Sequence, residues 1–200
     1  MKFKELKELN LSENKISDIK VLEKVKFEKL EILNLGLNQI SDINILEKVK
    51  FKELKELYLY DTNISDIKVL ENVKFEKLEI LDLSWNKISD INILEKVKFK
   101  ELKELDLDNN EISNIKVLEN VRFEKLELLH LDDNKISEIN ILEKLKFKEL
   151  KQLYLLGNNI SDIKVLENVK FEKLEKLDLR WNIIKDKSII FKLKVKEIYL

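Results

Sequence analysis

A 24-residue period runs through the chain and constrains its fold more than any other feature. Each unit opens on a Phe and continues with the run Leu-x-x-Leu-x-Leu-x-x-Asn-x-Ile; the markers are Phe3, Phe27, Phe51, Phe75, Phe99, Phe123, Phe147 and Phe171. A fixed period of this length is typical of a stacked-repeat solenoid, in which neighbouring units cover the apolar face that one unit cannot bury. The sequence predicts a single domain over residues 1–200, with eight units and a truncated ninth strand near the C-terminus.

Each unit is predicted to contain a short strand and a tight helical return. Between Lys7 and Ser12, Leu9 and Leu11 alternate with polar residues, which indicates a strand with one buried face. Strands of successive units run the same way, so we expect them to pair in parallel. From Ile16 onward, apolar residues recur at three-residue spacing, which predicts one or two turns of tight helix behind the strand.

An Asn follows almost every predicted strand. Its carboxamide has two donors and an acceptor, and we expect it to satisfy backbone groups in the turns of its own coil and the adjacent coil. Thr62 takes this place in the third unit. Because a hydroxyl makes fewer hydrogen bonds, the sequence predicts a locally weaker rung at Thr62.

Composition argues against several classes of function. The 38 Lys and Arg nearly cancel the 39 Asp and Glu, so the chain lacks the basic field expected for nucleic acid or an anionic membrane. There is no Cys, which excludes disulfides and thiolate metal sites. No apolar signal or membrane span is recognisable. As written, we expect the chain to be soluble and cytoplasmic, with a secreted or surface location as the alternative if a signal peptide has been removed.

The run Leu-x-x-Leu-x-Leu-x-x-Asn-x-Ile-Ser-Asp-Ile-x-x-Leu, as in Leu30 to Leu46, resembles the leucine-rich repeat family. Its second half is most similar to the subclass shared by bacterial internalins and the regulatory subunit of protein phosphatase 1. The resemblance implies an α/β solenoid, a horseshoe with a concave parallel β-sheet of about nine strands and short helices on the convex side. It also implies a protein-binding scaffold and not an enzyme.

Variation between units is concentrated in three columns, which are the positions equivalent to Asn10, Ser12 and Glu13. We predict that these columns form a concave binding face on the order of 40 Å long. The expected partner is a protein or peptide with a basic segment. The candidate contact residues are Tyr58, Tyr60, Asp82, Trp85, Asp106, Asp108, His130, Asp132, Tyr154, Arg180 and Trp181.

Aromatic side chains on this face are predicted to anchor the partner, because such residues are favoured at interfaces and are costly to leave in water. Tyr58, Tyr60 and Trp85 are expected to form one anchor group, and Tyr154 and Trp181 another. The alternative is that both Trp side chains fold over a neighbouring coil and pack there.

The carboxylates between the two aromatic groups are expected to concentrate negative potential and to steer a basic partner. A solvated acidic face without function is the alternative. Adjacent rungs lack a loop that could wrap a calcium ion, so neither a metal nor a cofactor is expected. His130 is the only histidine, and no activated nucleophile or water-excluding pocket accompanies it, so no catalytic residue is predicted. Within an acidic patch, we expect His130 to bind its proton more readily.

Two other functions remain open. The ends carry no recognisable caps and expose apolar strand edges, which would allow copies to stack end to end. The near-identical returns, such as Ile43 to Phe51 and Ile91 to Phe99, also suit an engineered or excised array without an evolved ligand. Otherwise we expect a monomer.

Overall fold

A single parallel sheet of nine strands dominates the computed structural model, which describes residues 3–169 and 172–200. Each strand has three residues, fewer than the stretch from Lys7 to Ser12 predicted to be extended. Phe171, the last repeat marker, lies outside the described residues. The strands in chain order are β1 (Glu8–Asn10), β2 (Ile32–Asn34), β3 (Glu56–Tyr58), β4 (Ile80–Asp82), β5 (Glu104–Asp106), β6 (Leu128–His130), β7 (Gln152–Tyr154), β8 (Lys176–Asp178) and β9 (Glu197–Tyr199).

Strand order in the sheet follows chain order, and equivalent residues of successive units lie side by side. Leu33 pairs with Leu57, for example. Backbone hydrogen bonds continue past the strands, as where the Leu37 amide donates to the Tyr60 carbonyl at 2.9 Å. β9 pairs with β8 through Leu177 and Ile198, which confirms the predicted ninth strand. A residue type that recurs in the sequence therefore forms a straight column in space.

Short 3-10 helices form the other side of each described unit and confirm the predicted tight return. In most of them an Asp or Asn side chain two residues before the helix accepts the first helical amide, as where Asp18 Oδ1 accepts the Lys20 amide at 2.7 Å. None of the helices in the described residues is long and apolar enough to cross a membrane. The 3-10 helices are Lys20–Lys24, Asn44–Glu47, Lys68–Glu71, Asn92–Glu95, Lys116–Glu119, Asn140–Lys144, Lys164–Glu167 and Ser188–Lys192.

The core lies between the sheet and these helices and runs the length of the array. Leu57 from the sheet and Ile64 from the turn are fully buried. The rings of Phe27 and Phe51 lie 5.8 Å apart, centroid to centroid. Leu9 lies on β1, an end strand of the described sheet, and is only partly buried. Each unit thus buries its apolar residues against its neighbours, as the repeat predicts.

The recurring Asn is buried and bonds to backbone groups of two coils. Asn86 Nδ2 donates to the carbonyls of Leu59 (2.8 Å), Leu83 (3.1 Å) and Ser84 (3.0 Å), and its Oδ1 accepts the Ile64 amide at 3.0 Å. The same four bonds recur at Asn110, Asn134, Asn158 and Asn182. This confirms the role predicted for the column.

Lys and Glu alternate from unit to unit beside the sheet. Glu31 lies between Lys7 and Lys55, at 3.0 and 2.6 Å. Glu79 lies 2.6 Å from Lys103 in the same column. In-register stacking places equivalent residues against each other, so a unit with Lys at this position needs neighbours with Glu. Attraction between opposite charges on adjacent rungs therefore favours the alternation of Lys and Glu from one unit to the next.

Candidate functional site

The first variable column occupies the last residue of each strand. Pairing between strands sets its members side by side on the concave face, in the order Tyr58, Asp82, Asp106, His130, Tyr154. The second column, which includes Tyr60, Asp108, Asp132 and Arg180, lies two residues further along. Backbone bonds between rungs hold it in register, as where the Trp85 amide donates to the Asp108 carbonyl at 2.9 Å.

The third column lies in the turn that follows each strand. All eight of its residues in the described chain have a left-handed backbone, with φ between 44° and 66°. Gly157 and Asn109 belong to this column, and both residue types tolerate positive φ. Their presence was the sequence signal for this turn. The column is Glu13, Leu37, Asp61, Trp85, Asn109, Asp133, Gly157 and Trp181.

The two Trp side chains of this column project into solvent. Trp85 is 61% exposed and Trp181 is 81% exposed, which does not fit the alternative that both pack over a neighbouring coil. Their φ angles are 55° and 56°, a conformation that is strained for bulky residues. Each Trp therefore carries two energetic costs, exposed aromatic surface and backbone strain, and makes little compensating contact with the fold.

Tyr58 and Tyr60 are partly buried and held in position by their neighbours. The Tyr58 hydroxyl donates to Glu56 Oε2 at 2.8 Å, and burial raises the pKa of Tyr58. The ring of Tyr60 lies against the backbone of Gly36, where a Cβ atom would overlap it. Because both rings are already ordered, little side-chain conformational entropy would be lost when a partner contacts them.

The carboxylates at the centre of the face form a chain of hydrogen bonds with the backbone. Oδ1 of Asp106 accepts the Asp108 amide at 2.9 Å. Oδ1 of Asp108 in turn accepts the amide of Asp132 at 2.6 Å, and Oδ1 of Asp132 accepts that of Leu156 at 2.7 Å. The aspartates are therefore fixed in orientation on two adjacent rungs, with Asp106 and Asp108 on one and Asp132 on the next.

Crowding and burial change the ionisation of these groups. Burial, together with repulsion from neighbouring carboxylates, raises the pKa of Asp106 to about 7, that of Asp108 to about 8 and that of Asp132 to about 6. Burial also raises the pKa of Glu104. Near neutral pH the centre of the face thus holds protons that a nearby cation would displace.

His130 lies among these acids but does not behave as the sequence predicts. Its Nδ1 is 3.7 Å from Asp108 Oδ2, its Nε2 is 4.0 Å from Glu104 Oε1, and its ring stacks on Tyr154 at 4.5 Å. Burial lowers the pKa of His130 to about 4, and the charge of Lys176 adds to this effect. The expectation that His130 binds its proton more readily is wrong, because only 19% of the side chain remains exposed.

Three potential metal ligands meet at this point, although the sequence predicted no metal site. One ring nitrogen of His130 and one oxygen from each of Asp106 and Asp108 lie within 4.8 Å of one another. The sequence does carry a signal for this cluster. Asp106 and Asp108 are two residues apart on one side of a strand, and His130 is exactly one repeat after Asp106.

An ion pair and a cation–π contact link side chains in the C-terminal part of the face. Arg180 Nη2 lies 2.6 Å from Oδ2 of Asp178, whose side chain is 1% exposed. The Lys176 ammonium lies over the ring of Tyr154, 4.8 Å from its centroid. Arg180 therefore neutralises a buried carboxylate while almost half of its own side chain remains exposed. Tyr154 and Trp181, the second predicted anchor group, have different environments. Tyr154 stacks on His130, whereas Trp181 lies in the solvent-exposed turn.

An open solenoid of parallel strands with a short helix in each turn defines the class of protein. The chain belongs to the leucine-rich repeat family: the family model described as leucine-rich repeats in two copies matches residues 4–48, 52–96 and 76–120. No curated protein sequence matches that of this chain.

Solved structures share this fold. Internalin C2 of Listeria monocytogenes is 24% identical, with a TM-score of 0.79 over 96% of this chain and 79% of that chain. A leucine-rich repeat protein of Leptospira interrogans is 28% identical, with a TM-score of 0.78 over 98% of this chain and 49% of that chain. The ectodomain of the Arabidopsis thaliana receptor kinase GASSHO1/SCHENGEN3, in complex with CASPARIAN STRIP INTEGRITY FACTOR 2, is 23% identical, with a TM-score of 0.68 over 98% of this chain and 27% of that chain.

Proposed function

We propose that this chain is a non-enzymatic binding scaffold whose concave face holds a protein or peptide segment with basic residues, and that residues 1–200 act as one domain. The observation that carries the proposal is the state of Trp85 and Trp181. Both are large, exposed and held at positive φ. All eight described residues of the third column share the left-handed backbone, and these two positions carry Trp, a frequent energetic anchor at interfaces.

The acidic centre supports a basic partner. Asp106, Asp108 and Asp132 lie on two adjacent rungs, and their raised pKa values reflect burial first and repulsion between neighbouring carboxylates second. A Lys or Arg from the partner would offset the cost of ionising them and favour the ionised form. The surrounding aromatic groups would cover the aliphatic part of such a side chain.

The family supports binding as the general activity. Leucine-rich repeat folds commonly serve as scaffolds for protein interactions, and the GASSHO1/SCHENGEN3 ectodomain is one that was solved with its partner. The likeness to that ectodomain concerns the fold. The contact residues proposed for this chain rest on its own geometry.

The column of alternating Lys and Glu beside the sheet opposes the alternative that copies of the chain stack end to end. In a head-to-tail stack, β9 of one copy would pair with β1 of the next. Lys196 bonds Glu175 at 2.6 Å, which places it in the same charge column as Lys7 and Lys55. Lys196 would therefore face Lys7 of a second copy. Two positive charges would then meet in a column where Lys otherwise pairs with Glu.

Selection from a displayed library of random peptides tests the proposal. The chain is used with EDTA present, and enriched peptides are measured by calorimetry against the parent and a variant with Tyr58→Ala, Trp85→Ala and Asp106→Ala. We expect peptides rich in Lys and Arg that lose at least about tenfold in affinity for the variant, since removing one interface anchor typically costs more than 1 kcal/mol.

A control variant carries the same number of substitutions away from the concave face. Val21, Glu143 and Phe191 are exposed residues of the 3-10 helices, and replacing all three with Ala should leave affinity unchanged. Peptides that bind both variants equally, or a selection that enriches nothing, would contradict the proposal.

A further inference from the structure

The cluster of Asp106, Asp108 and His130 has features that a surface group of acids alone does not have. It includes an imidazole, and one potential ligand atom from each residue lies within 4.8 Å of the others. Nε2 of His130 is buried and makes no hydrogen bond to any residue that the structure describes. A buried polar atom without a partner carries a desolvation cost, which a ligand at this position would remove.

Neighbouring groups hold the three side chains in place. Each aspartate uses Oδ1 to accept a backbone amide, from Asp108 at Asp106 and from Asp132 at Asp108. The second oxygen of each carboxylate is not used in these bonds, and Oδ2 of Asp108 lies 3.7 Å from His130 Nδ1. Stacking on Tyr154, with 8° between the ring planes, fixes the imidazole. Supports of this kind keep ligands oriented in metal sites.

We propose that Asp106, Asp108 and His130 form a binding site for a divalent transition-metal ion on the concave face. Two carboxylate oxygens and one imidazole nitrogen are a donor set that suits Zn²⁺ and neighbouring metals of the series.

The donor set also predicts selectivity. Calcium takes six to eight oxygen ligands, which adjacent rungs of a flat sheet do not supply. A three-ligand transition-metal site needs no wrapping loop, because water or a partner group completes the coordination. We therefore expect Zn²⁺ to bind and Ca²⁺ to bind much more weakly or not at all.

Nuclear magnetic resonance on the intact chain tests the site directly. His130 is the only histidine, so its ring signals are assigned without further work, provided that no histidine tag is present. Titration of the metal-free chain with Zn²⁺ should shift the ¹⁵N signal of the coordinating nitrogen, and calorimetry should give the affinity. No change in the His130 signals at saturating Zn²⁺ would overturn the proposal, as would a response to Ca²⁺ equal to that to Zn²⁺.

Matched variants distinguish specific Zn²⁺ binding at this cluster from general attraction of the ion to acidic residues. Asp108→Asn and His130→Asn remove a ligand and should weaken Zn²⁺ binding at least about tenfold, while circular dichroism verifies folding. Asp82→Asn is the control, because Asp82 is the register neighbour of Asp106 but lies outside the cluster. Equal affinity of Asp108→Asn and Asp82→Asn for Zn²⁺ would show that the cluster is not a site.

The ion would regulate the proposed binding activity, since it would use two of the carboxylates assigned to a basic partner. This consequence rests on the proposed function, whereas the metal titration does not. Zn²⁺ should weaken binding of a selected basic peptide, and the peptide should weaken Zn²⁺ binding by the same factor. Peptide binding in EDTA and Zn²⁺ binding without peptide test the two proposals separately.

Discussion

The hydroxyl of Thr62 lies 2.7 Å from Oδ1 of Asn86 and 3.1 Å from the Leu59 carbonyl, in a column where the other buried members are asparagines. Asn86 Oδ1 also accepts the Ile64 amide at 3.0 Å. Thr62 has no comparable oxygen directed at the Ile40 amide, which occupies the equivalent place one unit earlier. The ladder of side-chain bonds is therefore incomplete at one rung.

Thr62→Asn should complete this ladder and stabilise the chain by about 1 kcal/mol, because it would add hydrogen bonds in a buried site that already fits Asn in neighbouring units. Urea unfolding measures the gain. Hydrogen exchange locates it: in the parent the Ile40 amide should exchange faster than the Ile64 amide, and the substitution should remove the difference. Equal protection of both amides in the parent would show that the rung is not weak.

Replacing Trp85 with Gly and replacing it with Ala should affect the stability of the chain differently. If its role is binding, Trp85→Ala leaves the stability almost unchanged, because the side chain is 61% exposed. Trp85→Gly should be more stable than Trp85→Ala by about 1 kcal/mol, since Gly adopts a φ of 55° without steric cost. Denaturant midpoints decide the order. A large loss in Trp85→Ala would support the packing alternative instead.

Gly36 is needed for the space that it leaves, since its φ lies outside the left-handed region. Gly36→Ala should destabilise the chain by about 1–3 kcal/mol, because the new Cβ would overlap the ring of Tyr60. In a Tyr60→Ala background the same substitution should cost much less. A double-mutant cycle measures this coupling. Additive effects would mean that Tyr60 does not occupy the space above Gly36.

Stability should fall as pH rises from about 6.5 to 8.5. The unfolded chain loses its aspartate protons near pH 4, whereas the folded chain keeps those of Asp106 and Asp108 up to pKa values of about 7 and 8. The stability that the protonated folded form provides is therefore lost as pH rises through these values. The expected change is on the order of 1 kcal/mol, measured by urea unfolding in EDTA.

Asp108→Asn should flatten this pH dependence, because its carboxamide cannot ionise. Asp61→Asn, at an exposed turn position, is the control and should retain the parent slope. His130 opposes this fall only slightly: burial lowers its folded pKa to about 4, whereas the unfolded ring is about half protonated at pH 6.5 and neutral by pH 8.5, which adds about 0.4 kcal/mol of stability over the range. A parent curve that rises between pH 6.5 and 8.5 would contradict the assignment.

The sequence by itself determined the repeat, the parallel pairing, the tight helical return and the bonding role of the Asn column. Each follows from a local pattern, such as the alternation of Leu9 and Leu11, or from the requirement that a unit bury its apolar face against the next. Stacking in register then converts sequence spacing directly into spatial neighbours. For this reason the candidate face could be listed from the varying columns alone.

Only the tertiary structure decided the environment of each side chain on that face. It gave Trp85 a left-handed backbone with most of its side chain in solvent, and it placed Tyr60 over Gly36. It also reversed the expected pKa shift of His130, because burial outweighed the nearby acids. These properties depend on how much solvent and which partners surround an atom, and that balance is set by packing between rungs, which the residue pattern does not encode.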